Sequence, residues 1–482
     1  MPDLNPLYLT PRIEPVARSV LDEGELLRQL VDGLGSPLNI VLPDLLEANV
    51  ESFRETYHHH RLRGRVYFAH KANRSAALLR RLAAASSALV GADVASLAEL
   101  QHALGAGFGP ERIMATGPKN REFLWLAART GVIVNADSPG ELTDLAALVA
   151  EHRLPRVRVM VRLSEFASQG VQVISRRSRF GVPAGGLAEV LDLLEKHHEE
   201  LEPVGVAYHL DTIGWPEKAI ALEGCLAALE ECRARGLPVR SVDIGGGFGV
   251  NYLADGEQWE RYTSELAQAV LGRREPMTWN GHGYGLRNEA GTLRGVLGLY
   301  PSYRPVSGAG YLDQLLSAQA PGLRRPLGSL LLDTMYDLDI EPGRALLDQC
   351  GIVLARVLEV RGPLVRLDCN ARDVSLEEHG VLMDPLVITA GESGPPGAFY
   401  LLGNLCLEAD LITRRQVFLP VTPRPGDLLA FVNTAGYFMD FSATQALHQP
   451  IGRKVAVYRE GGAWRWCLDE QYWPVHPRAE ES

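Results

Sequence analysis

From about residue 45 this chain repeats one punctuation: a short apolar, β-branched run, a polar residue or glycine, then a helical stretch rich in Ala, Leu and Glu. Such alternation builds parallel strands covered by helices. The expected strands are RVYFAH at 65–70, ALVGAD at 88–93, RIMAT at 112–116, GVIVNAD at 131–137, RVRVMVRL at 156–163, VGVAYHL at 204–210, RSVDIGG at 240–246 and the run LDTMYDLDIE ending at Glu341. Eight strands alternating with helices fit an α/β (β/α)8 TIM-like barrel better than an open doubly wound sheet. Barrel enzymes build their sites at the C-terminal ends of the strands. Those positions hold Lys71, Asp93, Thr116, Asp137, Arg162, His209, Gly245 and Glu341. Each alone reads as a loop residue or helix cap; as a ring they could hold a polar cofactor.

After Glu341 the pattern changes to runs such as GIVLARVLEV, LVRLDCN, LVITA and GDLLAFVN separated by Pro/Gly turns, which reads as a β domain. The expected organisation is an N-terminal segment, 1–45, that joins the β domain; a barrel over 46–345 with an insertion at about 255–325; and a C-terminal β domain over 346–482. The insertion is expected over the barrel mouth, where long loops often serve function. It carries Trp279, His282, Tyr284, Arg287, Tyr300, Tyr303 and Arg304. These residues suit either a lid that recognises substrate or simple packing.

Composition narrows the function classes. A net charge of -11 without a Lys/Arg-rich block argues against nucleic acid as a partner. No apolar run approaches ~20 residues, and the first residues, MPDLNPLYLTPRIEP, lack the basic start and apolar stretch of a signal peptide. The six cysteines include no CxxC pair, so a reduced, cytoplasmic protein without membrane association is expected. His58, His59 and His60 are consecutive and should splay around a helix rather than converge on a metal. No metal is expected.

The segment SVDIGGGFGV puts three consecutive glycines directly after a strand. Glycine lets the backbone approach an anion and aim its N–H groups at phosphate oxygens. As a dinucleotide fingerprint the segment is poor, because Gly245, Gly247 and Gly249 give GxGxG rather than GxGxxG. As a phosphate cup in a late barrel strand it is well placed, with a merely tight turn as the alternative. Lys71 follows FAH at the end of the first strand, where desolvation or neighbouring charge could lower its pKa.

FAHKAN (68–73), GADVAS followed by Glu99 and Leu100, SRFG (178–181), YHLDT (208–212), DIGGGF (243–248), EPGR (341–344), Cys406 with Asp410, and AGY (435–437) occur in this order along the chain. Together they resemble the motifs of the fold-type III pyridoxal-phosphate (PLP) decarboxylases, which include diaminopimelate, ornithine and arginine decarboxylases. The resemblance implies a homodimeric, PLP-dependent decarboxylase of an α-amino acid on a barrel-plus-β-domain plan. It implies that Lys71 carries the cofactor as a Schiff base and that His209 stacks on its ring. Gly245, Gly246 and Gly247 with Arg344 would hold the phosphate, helped by Thr212 and Tyr437. Glu341 would face the pyridine nitrogen, Asp93 and Arg162 would line the cofactor, and Cys406 would protonate the product from the partner subunit. The physical reading agrees for Glu341, since a carboxylate there keeps that nitrogen protonated. For Cys406 the alternative is a buried apolar thiol.

Departures leave the substrate open. Relatives that act on basic amino acids follow the cysteine with an acidic residue, whereas this chain has Leu407, with Glu408 one place later and Asp410 beyond. An Arg-Pro-x-Leu-Tyr signature that diaminopimelate decarboxylases share is missing from LDCNARDVSLEEHGVLMDP. A racemase, epimerase or other lyase on the same scaffold, or a non-catalytic PLP-binding protein, are the alternative readings.

Overall fold

The computed structural model describes residues 6–85, 89–166, 178–210, 214–389, 391 and 394–474. The chain divides into two compact units, one of Glu47–Gly249, Gly308–Leu346 and Trp473–Ser482, the other of Met1–Leu46, Val250–Ser307 and Leu347–Tyr472.

The first unit is a barrel. Strands Val66–Ala69, Val90–Val94, Ile113–Ala115, Ile133–Ala136, Val157–Ser164, Leu201–Tyr208, Ser241–Asp243 and Asp337–Asp339 are parallel neighbours in chain order. A parallel bridge between Val66 and Ile340 brings the eighth strand beside the first. There the Tyr67 N–H donates to the Ile340 carbonyl at 2.8 Å and the Ile340 N–H to the Arg65 carbonyl at 3.0 Å. All eight expected strands form, and their order is that of a (β/α)8 barrel.

Tyr67, Met114, Ile133, Met160 and Ala207, from five different strands, fill the interior. Burial of each larger apolar side chain contributes about 1.5–3 kcal/mol. Gly91 makes room for Tyr67, since a Cβ at that position would lie 2.5 Å from the ring. A filled interior confines chemistry to the rim.

Four helices of this unit start on side-chain caps. The side chains of Ser75, Ser96, Asn120 and Ser138 accept from the backbone N–H groups of Leu78, Glu99, Phe123 and Glu141. Each satisfies an N–H that the helix leaves unpaired. Capping therefore falls to these residues, and Lys71, Asp93, Thr116 and Asp137 at the strand ends are left for other contacts.

The second unit is built on a nine-stranded sheet. Its central strand Gly351–Arg361 pairs antiparallel with Leu38–Val41 and with Leu428–Val432, and Leu38–Val41 pairs parallel with Arg453–Glu460. The N-terminal segment thus supplies a strand to this sheet.

The expected insertion, 255–325, does not stay with the barrel: Val250–Ser307 belongs to the β unit, and only the part from Gly308 returns to the barrel unit. The reason is a set of buried polar contacts. Tyr262 lies under the Arg415 guanidinium, 6.0 Å from ring centroid to Cζ. The Tyr284 hydroxyl donates to Glu377 at 2.6 Å, and Arg415 pairs with Asp384 at 2.7 Å with both side chains buried. Breaking such a buried pair costs about 3–5 kcal/mol. Trp279 meets Tyr400 edge-on at 5.2 Å, and the Tyr300 hydroxyl accepts from the Val250 N–H at 2.8 Å. Rings that could have served a lid are committed to packing within this unit.

Candidate active site

Lys71 sits in a single 3-10 turn, His70–Ala72, directly after the first barrel strand, and is half-buried. Its charge acts on Asp93, Glu99, His209 and Glu341. Asp93, at 1% exposure, takes a hydrogen bond from the Thr116 hydroxyl. Burial, and then the negative Glu341, push its carboxyl up to about 8 despite Lys71. Asp93 is therefore protonated at neutral pH.

Glu341 follows the eighth strand and is buried. Burial would push its carboxyl up, but its neighbours, His209 and then the Lys71 charge and a hydrogen bond shared with Asp243, outweigh it and lower it. His209 Nδ1 lies 3.5 Å from Glu341 Oε2 and accepts from the Gly246 N–H at 3.2 Å. Burial pushes His209 down, so the ring is neutral at neutral pH. Lys71 and Asp243 then keep Glu341 ionised. Asp243 is itself driven well up, first by burial and then by the charges of Glu341 and Asp339. Asp339 is raised to about 7. Closely spaced buried carboxyls cannot all ionise, and here the charge settles on Glu341.

The glycine turn closes the site. The Asp243 carboxyl accepts from the Gly245 N–H at 2.7 Å, and the Gly245 carbonyl accepts from the Glu341 N–H at 2.9 Å. Gly245 has φ +63°, and a Cβ there would lie 2.6 Å from His209 Nδ1; one on Gly246 would lie 2.8 Å from the Glu341 carbonyl oxygen. Only glycine fits. Among the described residues the N–H groups of Gly247, Phe248 and Gly249 find no acceptor. Consecutive amide donors of this kind suit an anion.

Arg162 pairs with Asp137 at 3.4 Å and lies over the Phe180 ring, 4.9 Å from its centroid. Arg344 is half-buried three residues beyond Glu341. Thr212 lies outside the described residues. Cys406 and Tyr437 belong to the β unit. Tyr437 is half-buried at φ 74°, with its ring edge-on to Phe441 at 5.5 Å. Cys406, Leu407 and Glu408 are exposed on one loop, which excludes the buried-thiol reading of Cys406.

Asp410 requires a correction. Its Oδ1 accepts from the Ala371 N–H and its Oδ2 from the Leu405 N–H, both at 2.8 Å, and the residue is buried. Asp410 braces the loop from inside and does not present a carboxylate to a substrate. The histidine run also differs from expectation. The ligand atoms of His59, His60 and Asp313 fall within 4.8 Å of one another, because Asp313 on the helix Gly308–Ser317 reaches His60 Nε2 at 2.8 Å.

Two residues of the site were not singled out from the sequence. Asp243 stood in the quoted DIGGGF motif, directly before the glycines. Lys218, in the helix Trp215–Ala234, is wholly buried and its ammonium donates to the Gly246 carbonyl. WPEKAI carries no signal for it, since a lysine in a helix ordinarily faces water.

Comparison with known proteins fits this picture. Residues 44–292 match the family described as "Pyridoxal-dependent decarboxylase, pyridoxal binding domain". An uncharacterised protein, y4yA, of Sinorhizobium fredii is 30% identical, covering 93% of this chain and 94% of its own. A diaminopimelate decarboxylase of Methanothermobacter thermautotrophicus is 25% identical, covering 90% of this chain and 89% of its own. Among solved structures, the diaminopimelate decarboxylase of M. jannaschii in complex with L-lysine superimposes with a TM-score of 0.69 at 18% identity, covering 92% and 91% of the two chains. The arginine decarboxylase of Paramecium bursaria Chlorella virus does so with a TM-score of 0.63 at 18% identity, covering 92% and 100%.

The chain belongs to the pyridoxal-dependent decarboxylases. It is a lyase of amino-acid metabolism whose cofactor is PLP. The residues present fit that cofactor: a lysine at the barrel rim, an ionised buried carboxylate, and a glycine turn with unclaimed N–H donors. No helix among the described residues is long and apolar enough to cross a membrane.

Proposed function

We propose that this protein removes the α-carboxyl group of an amino acid, with Lys71 as the covalent anchor of PLP and the Gly245–Gly247 turn, Arg344 and Thr212 as the phosphate site. Bound there, PLP supplies an electron sink for the carbanion left when CO2 departs. The observation that carries this reading is the placement of Glu341, buried after the eighth strand beside His209 and tied to the glycine turn. Glu341 is held ionised, and burial pushes Asp93, Asp243 and Asp339 up around it. A single carboxylate in a low-dielectric site holds a proton on the facing ring nitrogen, and a protonated ring is the stronger sink. His209 would cover the ring, and Asp93 and Arg162 would line the site.

Cys406 is the proposed proton donor to the product carbon. Its thiol is exposed on a loop of the β unit, which supports its serving a partner subunit in a homodimer. A thiol carries a transferable proton suited to general-acid work. Leu407 beside it offers no carboxylate to a distal ammonium, so a basic substrate would have to be met by Glu408 or another residue. Free cysteines throughout the chain fit a reducing cytoplasm.

The test is to add PLP to purified protein, follow the near-visible absorbance, and screen amino acids for CO2 release. A Lys71→Ala variant should lose the lysine-dependent absorbance band and lower turnover by roughly 10³-fold or more. Retention of that band, or amino-acid turnover with the carboxylate kept, defeats the reading.

A further inference from the structure

Lys218 has no role in the chemistry described so far, yet its placement is costly. Its side chain is wholly buried, 4.9 Å from the Phe248 ring centroid and 5.7 Å from that of Tyr311. Among the described residues no carboxylate pairs with it, and burial pushes its amine down to about 7. The other ionisable groups packed against it are the phenols of Tyr208 and Tyr311. The Tyr208 hydroxyl donates to the Lys218 carbonyl at 3.0 Å, and burial drives that phenol well up, so it stays neutral. A buried lysine with no counter-charge among the described residues is retained against a desolvation cost. An anion that arrives later would offset that cost.

The amine touches a telling atom. It donates to the Gly246 carbonyl, which shares a peptide with the Gly247 N–H. In a trans peptide these two groups point in opposite directions. The Gly247 N–H is among those without an acceptor in the described residues. A cation on the oxygen side polarises that peptide and strengthens its N–H as a donor, and it adds direct attraction for an anion in a low-dielectric surrounding.

We propose that Lys218 is a positioning residue for the cofactor phosphate: it braces the glycine turn from behind and supplies the buried cation that a phosphate on that turn faces. The proposal rests on the glycine turn being the phosphate site. A phosphate dianion favours the ammonium over the amine, so binding takes up a proton. Affinity is therefore greatest below about pH 7 and falls as pH rises above the pKa of the free protein's lysine, by up to about tenfold per pH unit.

The test measures binding to the apoprotein by equilibrium dialysis, with PLP and with pyridoxal, which lacks the phosphate, at about pH 7 and 8.5. Wild-type affinity for PLP relative to pyridoxal should fall about tenfold between the two. Lys218→Met should weaken PLP about tenfold at the lower pH, flatten the dependence and leave pyridoxal unchanged. Unchanged PLP affinity, or equal loss of both ligands by a variant that still melts cooperatively, overturns the proposal. Should Lys218→Met not fold, calorimetry of wild type in buffers of different ionisation enthalpy decides it. Near pH 8, PLP should take up more protons than pyridoxal, and equal uptake overturns the proposal. A wild-type protein that binds pyridoxal and PLP equally would instead remove the phosphate-site reading beneath it.

Discussion

At the barrel rim the ionisable groups are buried and set one another's protonation. On the 403–410 loop of the β unit the work is split between an inward carboxylate and an outward thiol. Rim residues Asp93, Asp243 and Glu341 are all nearly inaccessible, and burial, reinforced by the charge of Glu341, keeps Asp93 and Asp243 protonated. On the loop, Asp410 spends both oxygens on backbone N–H groups while Cys406 remains exposed. The rim is thus tuned by electrostatics and the loop by hydrogen-bonded shape. Substitutions at the rim should alter chemistry and pH dependence, and substitutions behind the loop should alter stability and placement.

The sharpest way to break that contrast is Glu341→Gln, which removes the carboxyl of the cluster that is held low and keeps its size. Turnover should fall by roughly 10²–10³-fold while PLP still binds, checked by steady-state kinetics beside a cofactor titration. Equal turnover would mean that the rim's charge is incidental. Next in size, Cys406→Ala should lower turnover by roughly 10²-fold and leave cofactor affinity unchanged. Subunits carrying Lys71→Ala and Cys406→Ala, inactive apart, should regain activity when mixed if sites are shared between protomers. A mixture as inactive as its parts argues against sharing.

Asp410→Asn turns an amide donor toward one of two backbone N–H groups and should destabilise the protein by about 1–3 kcal/mol, read by chemical denaturation. Stability equal to wild type would show that the loop does not depend on this brace. The smallest effect is a slope. Asp93 stays protonated in the folded protein up to about pH 8, whereas an unfolded carboxyl ionises near ~3.9. Between those values the folded state holds the extra proton, so stability falls as pH rises. Asp93→Asn should flatten this decline in the apoprotein by up to about 1.4 kcal/mol per pH unit; denaturation between pH 5 and 8 with an unaltered slope would place the proton elsewhere.

Much of the scaffold was legible because its signals are local. Each barrel strand is a short apolar run, and the residue ending it is fixed by the run itself, so Lys71, Asp93, His209 and Glu341 could be placed at one rim before any coordinates. The glycines were equally readable, since contacts from His209 and Glu341 leave no room for a side chain at Gly245 or Gly246. The 250–307 segment was misplaced because its membership depends on long-range partners. Tyr262 and Tyr284 are held by Arg415 and Glu377, more than ninety residues away in each case. Asp410 differs from its expectation for a related reason: a carboxylate near a candidate cysteine looks the same in sequence whether it points outward or caps its own loop.

By itself the sequence determined the barrel, the appended β domain, the family and the position of Lys71 at the barrel rim, because periodicity and ordered motifs are properties of neighbouring residues. Only the tertiary structure decided which carboxyl carries the charge, which way Asp410 faces, and that Lys218 lies buried against the glycine turn. Protonation and burial depend on what surrounds a group in space, and those surroundings come from strands and helices far apart along the chain.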